Sequence, residues 1–135
     1  VAKNILSLDE LMKIISEAKA NFGIEGVTYS GGEPTLQQNI SVLTDRIHEL
    51  GLGVISFTGR RFEEVKDALW NCDIVLDGCF DETQPEKERK LLGSANQRVL
   101  ELTDRYAAVI DWFNQSTKTV EVNVGGKVIF NGDHI

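Results

Sequence analysis

Val27-Thr28-Tyr29-Ser30-Gly31-Gly32-Glu33-Pro34-Thr35-Leu36-Gln37 climbs through a short β-branched run to a glycine pair, a carboxylate and a proline. The run predicts a strand over 26–30, and the proline opens a helix. Two glycines let the backbone approach a ligand closely, because no Cβ stands in the way. Pro34 suits the first helical position, where its missing N–H would have had no partner. Glu33 then falls at the cap, where Ser, Thr, Asp or Asn would serve a helix better. Local rules broken in this way tend to mark functional sites. An ordinary strand-to-helix turn with a solvated glutamate would carry the same letters, since a lone glycine-rich turn is weak evidence.

Upstream, Ser7-Leu8-Asp9-Glu10 is a capping box, with Leu6 and Leu11 placed for a hydrophobic staple. Leu8, Leu11, Ile15, Ala18 and Phe22 follow at helical spacing, and Asn21 and Gly23 are stop residues. Downstream, Leu36, Ile40, Leu43, Ile47 and Leu50 form the stripe of a second helix ended by Gly51. His48 beside that stripe reads as a partly solvated residue rather than a catalytic one. The strand 53–57 leads into Thr58-Gly59-Arg60-Arg61, then a third helix with Phe62, Val65 and Leu69 on one face and Trp70 at its end. The strand 73–77 has an apolar centre suited to a parallel strand covered on both faces. Mixed charges over 81–90 read as a solvated loop, short helix or docking surface. Gly93-Ser94-Ala95-Asn96-Gln97 is a polar turn before a strand over 98–102, and 106–113 is ambiguous between helix and strand. Residues 119–124, Gly125-Gly126 and 127–130 predict a β-hairpin with a two-residue turn.

With 135 residues the chain predicts one α/β domain, 1–135. Its net charge of −7 argues against nucleic acid and against an anionic membrane surface as partners. No apolar run approaches the roughly 20 residues of a membrane span, and no secretory signal opens the sequence, so a cytoplasmic location is expected. Cys72 and Cys79 flank a predicted strand. Seven extended residues span roughly 23 Å, too far for a disulfide or for two ligands of one metal. Cys72 is expected to be a small buried residue and Cys79 a loop thiol.

Strands near 27, 54 and 74 alternate with helices, which predicts a parallel βα-repeat sheet with right-handed crossovers. Ligands in such folds bind at the carboxyl ends of the strands. Residues 30–34, 58–61, 77–80 and 93–97 all fall at that end, and four polar turns on one rim point to a small-molecule site.

Together these residues resemble the radical S-adenosylmethionine superfamily. Within it they look most like the activating enzymes of glycyl radical enzymes, the activator of anaerobic ribonucleotide reductase above all. Ser30-Gly31-Gly32-Glu33-Pro34 with Gln37 is similar to the signature shared across the superfamily. Thr58-Gly59 extends the match, and Leu76-Asp77-Gly78-Cys79-Phe80 followed by Gly93–Gln97 looks like the reductase activator in particular. The resemblance runs over roughly residues 5 to 102.

It implies a partial, incomplete TIM-like barrel over about 1–105, extended over 106–135 by the hairpin. It implies S-adenosylmethionine as cofactor, with Ser30, Gly31, Gly32, Glu33, Thr58, Asp77 and Asn96 in the binding site and Glu33 accepting from the ligand's ammonium. Cys79 stands where relatives often have a basic residue or proline. The family also holds a [4Fe–4S] cluster through a CxxxCxxC loop, and these 135 residues contain two cysteines at neither that spacing nor that position. The expectation is therefore a truncated stretch with no metal ligand and no catalytic residue of its own, inactive alone. The resemblance further implies a glycyl radical enzyme, anaerobic ribonucleotide reductase, as partner and a flavodoxin or ferredoxin as electron donor. An unpaired sheet edge left by truncation would favour self-association. A radical S-adenosylmethionine enzyme acting on a small molecule and a non-catalytic α/β binding module remain the alternatives.

Overall fold

The computed structural model describes residues 7–85, 94, 96–107, 119–123 and 128–131, the last two segments by backbone only. Helix α1 (Leu8–Phe22) starts where the letters place it. Ser7 Oγ accepts from the Glu10 amide at 3.1 Å, and the Glu10 carboxylate accepts from the Ser7 amide at 3.1 Å. The helix ends on Gly23 in the left-handed conformation, φ 62°. Met12, Ile15 and Ala18 face the core, whereas Phe22, assigned to the stripe, is 44% exposed at the last turn. Leu6 of the expected staple lies outside the described residues.

Strand β1 (Gly26–Ser30) is followed by the first departure from expectation. Pro34 begins only a 3₁₀ turn (Pro34–Leu36), and helix α2 (Ile40–Glu49) starts afresh after Asn39, whose φ is 63°. Leu36, read as the head of the α2 stripe, is 66% exposed. Glu33 caps the turn by accepting from the Thr35 amide, and the Gln37 amide closes it on the Pro34 carbonyl at 3.0 Å. Strand β2 (Gly53–Phe57), helix α3 (Phe62–Leu69) and strand β3 (Ile74–Asp77) complete the βα series. Strand β4 (Arg98–Glu101) follows, then β5 (Thr119–Asn123) and β6 (Val128–Asn131).

The described strands form one open sheet in the order β4-β3-β2-β1-β5-β6. β1, β2, β3 and β5 run parallel; β4 and β6 are antiparallel to their neighbours. The fold is thus a mixed, mostly parallel α/β sheet, consistent with a partial βα barrel that does not close. β5 of the hairpin pairs with β1 in parallel from Gly26↔Thr119 to Ser30↔Asn123, which places β1 inside the sheet and leaves β4 and β6 as the edges among the described strands. The turn residues 124–127 lie outside the described set.

Val27, Tyr29, Val54 and Val75 on one sheet face meet Ile15 of α1, Leu43 and Ile47 of α2 and Leu69 of α3. Ile55, Ile74 and Leu76 are buried on the other face beside Phe57, Val99 and Tyr106. Burial on both faces explains the unbroken apolar run of β3.

At the amino-terminal end of the sheet the Tyr106 side chain lies across β1 and β2. A Cβ on Gly53 would sit 2.1 Å from the Tyr106 hydroxyl and 2.8 Å from Arg105 Cδ. Gly53→Ala must displace both side chains and is expected to cost about 1–3 kcal/mol, the usual range for overpacking. A urea titration checks it, with the midpoint falling and the slope unchanged.

Candidate functional site

The carboxyl ends of β1, β2 and β3 share one rim, because the three strands are parallel and in register. Ser30 ends β1, and Gly31, at φ 94°, turns the chain back so that exposed backbone at Gly31 and Gly32 precedes Glu33. Glu33 Oε2 accepts from the Thr35 amide (3.1 Å), the Thr35 hydroxyl (2.5 Å) and the Thr58 hydroxyl (2.8 Å). Among the described residues Oε1 accepts from the Gly59 amide alone, at 2.8 Å. One carboxylate thus ties the β1 turn to the β2 turn and, among the described residues, keeps an acceptor position on Oε1. Partial burial pushes its pKa up. The hydrogen bonds from the Thr35 hydroxyl, the Gly59 amide, the Thr58 hydroxyl and the Thr35 amide together outweigh that and hold it below the ordinary glutamate value. Glu33 is an anion at neutral pH.

The β2 turn is pinned on its other side as well. The Thr58 amide donates to the Leu76 carbonyl (3.0 Å), the Arg60 amide to the Thr58 hydroxyl (3.2 Å), and the Gly78 amide to the Arg60 carbonyl (3.0 Å). Gly78 has φ 102°, a conformation that a side chain would strain.

Of the residues singled out from the sequence, Ser30, Gly31, Gly32, Glu33 and Thr58 come together. Asp77 lies on the same rim one strand further on, with both oxygens engaged. Its side chain is fully buried. Oδ2 accepts from the Phe62 amide at 2.7 Å, capping α3, and the Arg98 guanidinium grips both oxygens, Nε to Oδ1 at 2.9 Å and Nη2 to Oδ2. Asn96 stands beyond it. Its Nδ2 donates to the Cys79 carbonyl at 2.9 Å, and its buried Oδ1 has no partner among the described residues. No hydrogen bond joins Asp77 or Asn96 to Glu33 among the described residues. Gly93 and Ala95 of that turn are outside the described set.

Thr35 and Arg98 were missed at the level of sequence. Thr35 was legible, since a hydroxyl two residues after a capping carboxylate is a common local donor. Arg98 was not, since its partner lies 21 residues away and the pairing depends on β4 running antiparallel to β3.

His48, expected to be partly solvated, is half-buried and holds Asp73 at 2.9 Å on the opposite rim. Cys72 is fully buried, which pushes its thiol up to about 12, and Cys79 is exposed. Neither is disulfide-bonded. No three His, Cys, Asp or Glu side chains among the described residues converge as metal ligands would. No described helix is long and apolar enough to cross a membrane.

Residues 2–100 match a family described as a 4Fe–4S single cluster domain. The chain is 30% identical over 110 residues to a protein of Methanocaldococcus jannaschii named as a glycyl-radical enzyme activating enzyme, covering 80% of this chain and 42% of that one. It is also 30% identical over 95 residues to a GTP 3′,8-cyclase of Rhizobium leguminosarum bv. trifolii, covering 66% of this chain and 27% of that one. The chain therefore spans less than half the length of these relatives. No solved structure matches it. By the span of the family match, and with the glycine-glycine-glutamate turn at the sheet rim, the chain belongs to the 4Fe–4S single cluster domain family and, with it, to the radical S-adenosylmethionine superfamily.

Proposed function

We propose that this chain is the S-adenosylmethionine-holding portion of an activating enzyme for a glycyl radical enzyme, with anaerobic ribonucleotide reductase as the partner. The observation that carries the reading is Glu33. Its carboxylate is ionised, braced between two strand ends and left, among the described residues, with an acceptor position on Oε1, beside the exposed Gly31 and Gly32. An ammonium placed there makes a charge-assisted hydrogen bond with no reorganisation of the site. The ligand's amino-acid end fits these residues. Ser30, Gly31 and Gly32 line the approach, Thr58 holds Glu33 in place, and we assign Asp77 and Asn96 to the outer rim, where they fix the neighbouring turns.

The cluster does not fit these residues. Three thiolates are required, the sequence holds two cysteines, and one of them is fully buried. Reductive cleavage of S-adenosylmethionine is the chemistry that cluster and cofactor supply when both are bound; these 135 residues contribute the binding and orientation. We take flavodoxin or ferredoxin as the electron donor and the cytoplasm as the location, as parts of the same reading.

Isothermal calorimetry with S-adenosylmethionine tests it. Glu33→Gln keeps the shape and removes the charge, and is expected to weaken binding at least tenfold, the scale of one hydrogen bond to a charged group. A circular dichroism spectrum like that of the parent shows the fold intact. Equal binding by the two proteins, or none by the parent, overturns the reading. The match to a cyclase supports a second reading, a radical enzyme acting on a small molecule. In a preparation that includes the cluster-bearing sequence, a glycine-centred radical on the reductase, seen by electron paramagnetic resonance, favours the activase. Cofactor cleavage coupled to a small substrate and independent of the reductase favours the alternative.

A further inference from the structure

The β3–β4 ladder ends at Asp77↔Arg98, and Gly78 and Gln97 are the next residues along the two limbs. Gly78, at φ 102°, donates its amide sideways to the Arg60 carbonyl of the β2 turn at 3.0 Å. The Gln97 backbone amide goes to the Ser94 carbonyl at 3.2 Å, so it is not given to Gly78 as a continuing ladder would give it. The Gly78 carbonyl is met instead by the Gln97 side chain, whose Nε2 donates to it at 2.9 Å. Oε1 of the same side chain accepts from the Ser94 amide at 3.0 Å. A primary amide can donate and accept at once, whereas a carboxylate only accepts. Ser94 is fully buried, and its hydroxyl accepts from the Asp81 amide at 2.9 Å, which ties the two limbs together again. Gln97 therefore holds Gly78 in the orientation that reaches the β2 turn.

From Gly78 the bonds continue unbroken to Glu33. Arg60 accepts from Gly78 on its carbonyl and donates its amide to the Thr58 hydroxyl at 3.2 Å. That hydroxyl donates to Glu33 Oε2 at 2.8 Å, and the Gly59 amide between them donates to Oε1 at 2.8 Å. We propose that Gln97 is a positioning residue for Glu33: it locks Gly78, Gly78 locks Arg60, and the turn so held presents two of the carboxylate's donors. Asn96, its neighbour, donates to the Cys79 carbonyl, one residue further from the β2 turn. The consequence for cofactor binding rests on the reading of Glu33 above; the positioning itself does not.

Carbon-detected NMR on the 135-residue chain tests it through the titration of the Glu33 carboxyl. Burial raises that pKa, and the donors from Thr35, Gly59 and Thr58 lower it, so loosening the β2 turn moves the midpoint up towards the ordinary glutamate value. Gln97→Met is expected to show that rise, with an upfield shift of the Gly59 amide proton as its bond to the carboxylate lengthens. Gln97→Glu keeps an acceptor for Ser94 and has no donor for Gly78, so at pH 7 it should show the same Gly59 shift. Gly53→Ala, which crowds the opposite end of the sheet, controls for lost stability and should leave both signals in place. Dispersed amide spectra show each variant folded. In calorimetry, S-adenosylmethionine should bind both Gln97 variants about three- to tenfold more weakly, less than the loss of a whole hydrogen bond to a charged group. An unmoved Glu33 midpoint in Gln97→Met, an equal movement in Gly53→Ala, or a parent-like Gly59 signal in Gln97→Glu overturns the assignment. A moved midpoint in Gln97→Met, when the parent binds no S-adenosylmethionine, upholds it and overturns the cofactor reading alone.

Discussion

Asp77→Ala is expected to lose about 3 kcal/mol of folding stability, at the low end of what breaking a buried ion pair costs. Alanine removes the acceptor of the Phe62 amide in the first turn of α3, and it releases Arg98. With a slope of about 1–3 kcal/mol per M, the urea midpoint should fall by roughly 1–3 M. The consequence for the site is indirect but large. The turn that donates to Glu33 is suspended between β1 and β3, and α3 begins immediately after it. If α3 loses its foothold on β3, the Thr58 hydroxyl and the Gly59 amide lose their fixed positions against Glu33. Binding of S-adenosylmethionine should therefore weaken in Asp77→Ala without any direct contact being removed. Arg98→Met separates the parts, because it keeps the α3 cap and deletes the cation. A double variant, Asp77→Ala with Arg98→Met, should lose less than the sum of the two single changes, as expected for residues in one pair. Additivity, or a loss below about 1 kcal/mol in Asp77→Ala, would mean that the pair does not hold the turn.

The same pair shows where the letters stop being informative. Ser7 and Glu10 fix the start of α1 within four residues of chain, and β1 and β2 fall at 26–30 and 53–57 as their β-branched runs predict. Local chemistry determines these, so a sequence suffices. The helix expected from Pro34 to Leu50 fails because its stripe continues smoothly across a break imposed from outside. Glu33 is drawn to Thr58 and Gly59, 25 and 26 residues away, and the chain must finish that turn before Asn39 lets α2 begin. Glu33 and Thr58 were legible as a rim pair from the βα alternation alone, since parallel order places consecutive strand ends side by side. The seating of β5 on β1 and the antiparallel course of β4 depend on strand order, to which periodicity is blind. Arg98 and Asp73, whose partners lie on other elements, were accordingly not singled out.

Asp73→Ala is expected to be the most damaging single change away from the candidate site, costing about 3–5 kcal/mol and lowering the melting temperature by roughly 10 °C. Its side chain, only 3% exposed at the amino-terminal rim, accepts from four donors. Oδ2 takes the Val54 amide at 2.7 Å and His48 Nε2 at 2.9 Å; Oδ1 takes the Thr103 hydroxyl at 2.7 Å and Arg105 Nε at 3.2 Å. One carboxylate thereby joins α2, β2 and the segment after β4, and its loss takes the acceptor from a strand amide and from three side chains, His48, Thr103 and Arg105. Burial raises the pKa of Asp73, but the bonds from the Thr103 hydroxyl, the Val54 amide and His48 outweigh it and hold the folded value below the ordinary 3.8. A folded pKa below the unfolded one contributes stability that is fully present above the unfolded value and is lost as pH falls through the folded value. The difference between the parent and Asp73→Asn should therefore be greatest near neutral pH and shrink progressively below about pH 4. Thermal melts of both proteins at pH 7, 5, 4 and 3 measure it. A gap that stays constant into acid would mean that the negative charge of Asp73, as distinct from the shape of its side chain, contributes nothing to holding that rim together.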